Sequence, residues 1–329
     1  MTDIIRVGIA GTGSFVPDRR LSNFDLEKMV DTSDAWIVER TGIRERRIVD
    51  DGVTCSDLAL AASQRALESS GVAAKDLDLI IVATVTADSP LPSAASLLQH
   101  RLGAEKAAAF DLAAACAGFI YAASTGKQFI KSGRYKKVLV VGAEVLSSIT
   151  DYEDRNSCIL FGDGAGAAVL TADAPHGEIL SSYLRCDGSG ADLIHIPAGG
   201  SRLRVTHKTV DDHGHFMKLR GREVFKFAVS RMTELIESAI AKYAMTSDDL
   251  GIVIPHQVNL RVIDAALRRL EIPTEKVFTN IDRYGNTSAA SIPIALDEAR
   301  RANLLVDGKY VICVAFGAGL TWGSIVLRW

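Results

Sequence analysis

The strongest constraint on the fold of this 329-residue chain is a faint internal repeat. Three segments of the first half resemble three segments of the second half, in the same order. The matched pairs are residues 73–85 with 246–258, 105–119 with 275–291, and 133–144 with 307–319. Equivalent positions are nearly equally spaced: 173 residues from Asp76 to Asp249, 170 from Lys106 to Lys276, and 175 from Gly142 to Gly317. The chain is therefore predicted to contain a duplicated unit.

Each half carries apolar runs such as LIIVATV and YVICVAF, separated by helical segments. Runs without polar alternation are typical of strands covered on both faces, so each half is predicted to be an α/β unit. We place the halves at residues 1–175 and 176–329. With 48% hydrophobic and 23% charged residues, the composition is that of an ordinary soluble globular protein.

The duplication predicts where chemistry-bearing side chains meet. Adding the 170-residue offset to Cys116 gives Asn286, and adding 173 to Ala83 gives His256. All three polar residues fall at turns between a strand and a helix. Because ligands of such sheets usually bind beyond the carboxyl ends of the strands, we expect the three side chains to share a pocket at the junction of the halves.

Each of these residues also has an ordinary structural explanation. Cys116 could be a small core residue, His256 a core or surface histidine, and Asn286 a helix cap. As a set they suit nucleophilic catalysis. Cys116 precedes a helix, whose dipole is expected to favour its thiolate, and Asn286 could donate to an oxyanion without titrating.

Three glycine-rich stretches and one histidine pair were weighed as possible cofactor or metal sites, and none of them fits the pattern of such a site. Residues 11–17 are expected to follow a strand but lack the third glycine of a dinucleotide site, and residues 161–170 lead into a strand instead of a helix. Residues 315–324 follow a strand and could turn backbone N–H groups toward a carbonyl. His213 and His215 lie in a polar segment without a carboxylate or cysteine at ligand spacing, so we predict a loop and no metal site.

Charge and cysteine content limit partners and location. A net charge of −3 argues against nucleic acid as the default partner, and no apolar stretch approaches a membrane span. The first residues lack the pattern of a secretory signal. Five isolated cysteines suit a reducing cytoplasm better than a disulfide or zinc framework.

Six segments in order resemble β-ketoacyl-acyl-carrier-protein synthase III, the condensing enzyme that initiates fatty-acid synthesis: DLAAACAGFIYA, LFGDGAGAAVL, GREVFKFAV, PHQVNLRVI, GNTSAASIP and AFGAGLTWGS. The resemblance runs from about Gly11 to Trp329. It implies the thiolase-like fold, with two pseudo-symmetric α/β halves stacked as α-β-α-β-α layers. It also implies condensation of a short acyl-CoA with malonyl-acyl-carrier protein, releasing CO₂ and CoA, without a metal or other cofactor.

The resemblance assigns roles to the pocket residues. Cys116 would take the acyl group, and His256 and Asn286 would hold the malonyl thioester oxygen during decarboxylation. Backbone N–H groups of Cys116 and Ala318 would form the oxyanion hole; the family usually has glycine at position 318. Phe161 and Phe316 would line the acyl pocket.

The resemblance also suggests binding surfaces. The CoA site would include Thr32, Trp36, Arg40, Arg155 and Arg222, although close relatives often have Asn at position 222. The acidic acyl carrier protein would contact Lys226, Arg261, Arg268 and Arg269. Relatives are homodimers that close the acyl tunnel with a residue from the partner subunit, often Phe, and the matching position is Leu91.

Other functions share parts of this pattern. A thiolase-fold acyltransferase or a condensing enzyme of specialised metabolism would use the same Cys116, His256 and Asn286. A non-catalytic acyl-CoA binder would have no use for the nucleophile. A degradative thiolase needs a second reactive cysteine, and Cys313, the nearest, is predicted to lie in a strand of the core. Chain-extending condensing enzymes typically have a second histidine at the position of Asn286.

Overall fold

The computed structural model describes residues 5–172 and 174–329. Residues 1–4, the start of the segment without a signal pattern, lie outside the described residues. The strands are β1 Val7–Phe15, β2 Arg20–Ser22, β3 Glu45–Arg47, β4 Leu79–Ala83, β5 Ala108–Leu112, β6 Lys137–Glu144, β7 Gly164–Ala172, β8 Glu178–Cys186, β9 Ile194–His195, β10 Lys218–Leu219, β11 Leu250–Pro255, β12 Tyr310–Gly317 and β13 Thr321–Arg328.

The helices, in chain order, are α1 Asn23–Leu26, α2 Asp34–Thr41, α3 Cys55–Ser70, α4 Ala94–Leu102, α5 Gly118–Lys131, α6 His207–Asp211, α7 Gly221–Lys242, α8 Leu260–Leu270, α9 Ile281–Tyr284 and α10 Ser291–Arg301. Short 3-10 turns precede two of them: Ala115–Ala117 leads into α5, and Ser288–Ala290 leads into α10. Among the described residues, no helix is both long and apolar enough to cross a bilayer.

Nine strands form one mixed sheet in the order β11-β12-β13-β8-β1-β7-β6-β4-β5. The order reads symmetrically outward from the β8–β1 contact, where Gly8 and Glu178 are the paired residues. On each side, two antiparallel pairings are followed by a parallel one, β6 with β4 on one side and β12 with β11 on the other. The boundary between residues 175 and 176 stays a prediction.

Helices form three layers around the two parts of the sheet. The central apolar core joins α5 and α10 to strands of both halves. A second core lies under α3 and α4 against β4, β6 and β7, and a third packs α7 and α8 against β11, β12 and β13. This arrangement is the α-β-α-β-α layering of the thiolase-like fold. It places the N-termini of α5 and α10 at the junction of the halves.

Residues 11–15 continue β1, which corrects the expectation that the glycine-rich stretch follows a strand. The reason is packing against α3. A Cβ at Gly13 would lie 2.5 Å from the backbone oxygen of Ala62, and one at Gly11 would lie 2.7 Å from that of Ala66. The glycines let a buried strand approach a helix closely, and they form no loop that could hold a phosphate.

Candidate active site

One cavity of about 1110 Å³ brings Cys116, His256 and Asn286 together. It opens between α2 and the N-terminal part of α7 and ends at the turns that begin α5 and α10. Phe161, Phe316 and Ala318 also line it. The spatial convergence expected from the internal repeat is therefore present in the fold.

Cys116 lies in the turn that connects β5 to α5. Ala115 has φ 45°, a left-handed conformation that non-glycine residues rarely adopt, and it turns the chain sharply just before the thiol. A Cβ at Gly317 would lie 2.6 Å from the backbone nitrogen of Cys116, so glycine there lets the end of β12 approach this turn. Cys116 lines the cavity and is partly exposed as a residue.

Burial of the Cys116 thiol opposes the effect expected from the helix dipole. Shielding from water raises its pKa to about 12, and the nearby carboxyl of Glu144 also raises it. A hydrogen bond with the Ser288 hydroxyl lowers the pKa but does not offset burial. Burial in the free protein therefore favours the neutral thiol.

His256 follows the last residue of β11, and its backbone N–H donates to Val314 O at 2.8 Å. Its side chain is fully buried, and Nδ1 lies 2.7 Å from the Ser291 hydroxyl. Nε2 has no hydrogen-bond partner within the described part of the chain. Burial lowers the pKa of the imidazole to about 3, so His256 is neutral at physiological pH.

Asn286 is held by its backbone and by its side-chain oxygen. Its N–H donates to Leu160 O at 2.8 Å, and its carbonyl accepts from Gly162 N at 3.0 Å. The side-chain Oδ1 accepts from the backbone N–H of Ser288 at 2.9 Å. Because the oxygen is engaged in this way, the amide NH₂ is the end of the side chain that can donate to a ligand in the cavity.

Thr321, which sequence reasoning missed, connects the two backbone segments that carry Cys116 and Ala318. Its hydroxyl lies 2.8 Å from Ala114 O and 3.0 Å from Ala318 O. A single side chain thus contacts the backbone on both sides of the predicted oxyanion hole. The sequence gives little signal for it, because a threonine at the start of a strand is common.

Glu144 was also missed. Its fully buried carboxyl accepts hydrogen bonds from the hydroxyls of Thr84, Thr86 and Ser288 and from Val85 N–H, at 2.6–3.2 Å. Burial raises the pKa of Glu144 to about 7 despite these donors. Its place at the end of β6, where strand-end side chains meet, is the signal that could have drawn attention to it.

The predicted CoA residues are only partly together. The guanidinium carbons of Arg40 and Arg155 lie 4.9 and 4.7 Å from the centre of the Trp36 ring, and Trp36, Arg40 and Arg222 line the cavity. Arg155 also pairs with Asp31 at 3.4 Å. The Thr32 side chain does not line the cavity; its hydroxyl is buried without a hydrogen-bond partner among the described residues.

The predicted carrier-protein residues form an exposed basic surface beside the cavity. Lys226 and Arg261 lie at its mouth, while Arg268 and Arg269 are exposed further along α8. Leu91 does not line the cavity of its own chain and is 85% exposed. Cys313 is buried in β12, as predicted for a core residue.

His213, the first of the two histidines, lies beside carboxylates that the sequence spacing did not reveal. Nδ1 of His213 lies 3.0 Å from Asp151 and Nε2 lies 3.9 Å from Glu153, while Lys218 contacts Asp151 at 3.2 Å. The lysine and histidine lower the pKa of Asp151 despite its burial. The segment contains the short helix α6, which ends just before His213.

Two family models match the chain. The model of 3-oxoacyl-[acyl-carrier-protein] synthase III matches residues 110–188, and the model of the C-terminal part of 3-oxoacyl-[acyl-carrier-protein] synthase III matches residues 240–329. A curated relative, the β-ketoacyl-[acyl-carrier-protein] synthase III of Caldanaerobacter subterraneus subsp. tengcongensis, is 52% identical over 329 residues, covering 100% of this chain and 99% of the relative.

Solved structures show the same similarity. The 3-oxoacyl-[acyl-carrier-protein] synthase III of Aquifex aeolicus VF5 superposes with a TM-score of 0.90 at 46% identity, covering 98% of this chain and 100% of that one. The priming β-ketosynthase of the R1128 polyketide biosynthetic pathway superposes with a TM-score of 0.89 at 36% identity, covering 98% and 95%.

Proposed function

Because this chain belongs to the 3-oxoacyl-[acyl-carrier-protein] synthase III family, it is an acyltransferase that catalyses the initiating condensation of fatty-acid synthesis, and we propose that this reaction takes place in the cavity around Cys116. The substrates proposed are a short acyl-CoA and malonyl-acyl-carrier protein. The observation that carries this assignment is the convergence of Cys116, His256 and Asn286 in one cavity.

The first half-reaction loads the enzyme. Cys116 Sγ attacks the thioester carbonyl of acyl-CoA, and CoA leaves as the acyl-Cys116 thioester forms. The backbone N–H groups of Cys116 and Ala318 hold the negative charge of the tetrahedral intermediate. Gly317 lets these segments approach, and Thr321 contacts the backbone on both sides. Donors fixed before the reaction stabilise the transition state without reorganising.

The second half-reaction makes the carbon nucleophile. Loss of CO₂ from the malonyl thioester moves charge onto the thioester oxygen as an enolate. Neutral His256, through Nε2, and the Asn286 amide NH₂ are positioned to donate hydrogen bonds to this oxygen. If Ser291 donates to Nδ1, the proton of the imidazole resides on Nε2, the tautomer that this role requires. The carbanion then attacks acyl-Cys116.

Substrate entry uses the two ends of the cavity mouth. Trp36 and Arg155 offer planar faces for the adenine of CoA, with Arg40 and Arg222 beside them. The exposed cations Lys226, Arg261, Arg268 and Arg269 suit an acidic carrier protein. No resident cofactor is proposed, because the thioester and the malonyl carboxylate supply the reactive groups.

We extend the proposal to assembly and location. Exposed Leu91 would close the acyl end of the cavity in a second copy of the chain, forming a homodimer. A leucine in place of the aromatic residue common in relatives would reshape the space for the acyl chain. The isolated cysteines, which include exposed Cys186, suit the cytoplasm.

A priming enzyme of specialised metabolism is the second candidate, because the R1128 β-ketosynthase shares the fold at 36% identity. Both candidates perform the same chemistry and differ in the pathway that uses the product. The higher identity to synthases of the fatty-acid type favours the first candidate.

The proposal is tested by intact-mass spectrometry of the purified protein mixed with acetyl-CoA, followed by malonyl-acyl-carrier protein. We expect an acetyl adduct first, then its discharge with formation of 3-ketoacyl-carrier protein and CO₂. An adduct that discharges without CO₂ would indicate simple acyl transfer. If no adduct forms with any short acyl-CoA tested, the protein is an acyl-CoA binder and the proposed reaction is wrong.

Arg261→Glu is expected to raise KM for malonyl-acyl-carrier protein on the order of tenfold and to leave acetyl-CoA loading unchanged. The reason is that a reversed charge at the cavity mouth repels an acidic partner but lies outside the nucleophile turn. Arg134→Glu, an equal charge change at an exposed site after α5, is the matched control and should leave both constants unchanged. An equal loss of acetyl-CoA loading and of activity with malonyl-acyl-carrier protein would contradict the docking role of Arg261.

A further inference from the structure

Arg46, in the middle of β3, is a buried arginine that the reaction described above does not use. It lies outside the residues that line the cavity and is 0% exposed to solvent. Burial lowers the pKa of its guanidinium to about 10, so the side chain stays charged at neutral pH. The carboxylate next to it in the chain, Glu45, pairs with Arg20 and Arg47 at 3.5 and 3.7 Å. The hydrogen bonds of Arg46 go to neutral oxygen atoms instead.

These oxygen atoms belong to two segments that are far apart in the sequence. Nη2 of Arg46 donates to Ile159 O at 2.8 Å. Nη1 donates to Leu21 O at 3.0 Å, and both nitrogens donate to Asn23 Oδ1 at 3.0 Å. Because the guanidinium is planar and rigid, one group holds the backbone at Ile159 and the segment that begins α1.

The contact with Ile159 leads to the Asn286 amide. The residues just after Ile159 pair with Asn286: Leu160 O accepts from its N–H at 2.8 Å, and Gly162 N donates to its carbonyl at 3.0 Å. A Cβ at Gly285 would lie 2.7 Å from Leu160 O, so the two segments are in close contact. A shift of the backbone at Ile159 is therefore expected to shift Asn286.

The contact with Asn23 leads to α2. Asn23 is also 0% exposed, and its Nδ2 donates to Asp34 Oδ1 at 2.9 Å and to Ile43 O at 2.8 Å. Asp34 is the first residue of α2, and Ile43 lies just beyond its last turn. This helix carries Trp36 and Arg40, the predicted CoA contacts that line the cavity. One amide group thus holds both ends of the helix.

Building on the proposed function, we propose that Arg46 is a positioning residue that couples the CoA site to the enolate site. Through Ile159 it places the Asn286 amide, and through Asn23 it places α2. Arg46 touches no substrate and takes part in no bond change. Its contribution is geometric, and small displacements of groups that hold a substrate lower reaction rates strongly.

The nucleophile is held by other contacts. The turn that carries Cys116 packs against Gly317, and the carbonyl of Ala114 accepts from the Thr321 hydroxyl. The side-chain hydrogen bonds of Arg46 and Asn23 go to other segments. Loss of the coupling should therefore change CoA binding and decarboxylation while sparing the maximal rate of acylation.

Asn23→Asp tests the connection to α2. The carboxylate still accepts from Arg46, but it cannot donate to Asp34 or Ile43, and it places a second negative charge beside Asp34. KM for acetyl-CoA in acetyl-Cys116 formation is expected to rise on the order of tenfold. The maximal acylation rate and CO₂ release from malonyl-acyl-carrier protein should stay within about threefold of wild type. Quenched intact-mass spectrometry gives the acylation constants and the fraction of molecules that can be acylated.

Asn280→Asp is the matched control. Asn280 is likewise buried, and its amide donates to a carboxylate, Glu298 Oε2 at 3.0 Å, but this contact leads to α10 instead of α2. The variant should keep the wild-type KM for acetyl-CoA. Trp36→Ala, which removes a proposed CoA contact directly, provides the reference for a raised KM.

Arg46→Lys tests both connections. Lysine keeps the charge, but its single nitrogen cannot replace two nitrogens that donate to Ile159 and Asn23. We expect KM for acetyl-CoA to rise and CO₂ release to slow, each on the order of tenfold, with the maximal acylation rate retained. Arg47→Lys, the same change at the next residue, whose Nη1 donates to Pro17 O at 3.0 Å, should keep all three constants.

The outcomes separate positioning from a general effect on stability. A destabilised protein would show a smaller acylated fraction with unchanged KM, and this result overturns the proposal. Wild-type constants in Arg46→Lys, equal loss of all three constants, or a KM shift shared by Asn23→Asp and Asn280→Asp also overturn it. If Arg46→Lys does not fold, the KM of Asn23→Asp decides the question. A wild-type protein that forms no acyl adduct, or a wild-type KM in Trp36→Ala, contradicts the proposed function or its CoA site instead.

Discussion

Cys116→Ala is expected to abolish the acyl adduct with acetyl-CoA and the formation of 3-ketoacyl-carrier protein. No other described thiol can replace it: Cys55, Cys158 and Cys313 are buried, and Cys186 is exposed on β8, outside the cavity. Because the acyl group must be covalently bound before the carbanion attacks, removal of the sulfur stops both half-reactions. Intact-mass spectrometry and product analysis measure the two losses.

Cys186→Ala is the matched control for this prediction. An exposed thiol can react non-enzymatically with a thioester, so this variant removes that background and should keep the adduct, CO₂ release and product. An adduct of equal size in Cys116→Ala but not in Cys186→Ala would place the acyl group on the surface and reduce Cys116 to a packing residue. Cys116→Ala removes one sulfur from a partly exposed site, so its loss of activity is not expected to reflect unfolding.

The meeting of Cys116, His256 and Asn286 was predictable because a duplication preserves strand order. Cys116 follows β5 and His256 follows β11, as expected for strand ends that carry the site, whereas Asn286 follows the short helix α9 and not a strand. The offset between repeated positions in the sequence therefore identified residues that lie close together in the fold. The offset follows from the order of the elements alone, so it could be used without knowing how the side chains pack around the cavity.

The electrostatics of Cys116 were not predictable in this way. The helix dipole acts locally and can be inferred from the residues before α5, but desolvation depends on every segment packed over the thiol. Those segments include the turn at Ser288 and the end of β6 at Glu144, which are far apart in sequence. The local expectation favoured a thiolate, whereas the packing of distant segments over the thiol raises its pKa.

The missed residues share the same cause. Thr321 contacts two backbone carbonyl groups because β13 begins beside them, and the Glu144 carboxyl is held because two segments, residues 84–86 and Ser288, supply its hydrogen bonds. Neither position belongs to a motif with characteristic spacing. By contrast, Leu91 and Arg155 were identified from a family resemblance, which indicates position but not the geometry that a second chain or a ligand supplies.

Decarboxylation and acylation depend on different groups, so the two half-reactions should separate by mutation. The oxyanion hole for acylation is made of backbone N–H groups, which side-chain changes at His256 leave in place. Stabilisation of the enolate oxygen, in contrast, depends on hydrogen bonds from Nε2 of His256 and from the amide of Asn286. Since burial keeps the pKa of His256 at about 3, its donor should stay neutral, and the decarboxylation step should not change with the charge of this histidine between about pH 6 and pH 9.

His256→Ala is therefore expected to slow CO₂ release from malonyl-acyl-carrier protein by about 10²–10³-fold, the usual effect of removing one donor to a developing oxyanion. Acetyl-Cys116 formation should remain within about threefold of wild type, within the spread of such comparisons. Asn286→Asp should be at least as severe, because a carboxylate replaces a donor with a negative charge where enolate charge develops. Radiolabelled CO₂ release and intact-mass acylation measure the two steps on the same preparation. A parallel loss of both steps in either variant would contradict this separation of roles, since it would show that His256 and Asn286 also act in the acylation of Cys116.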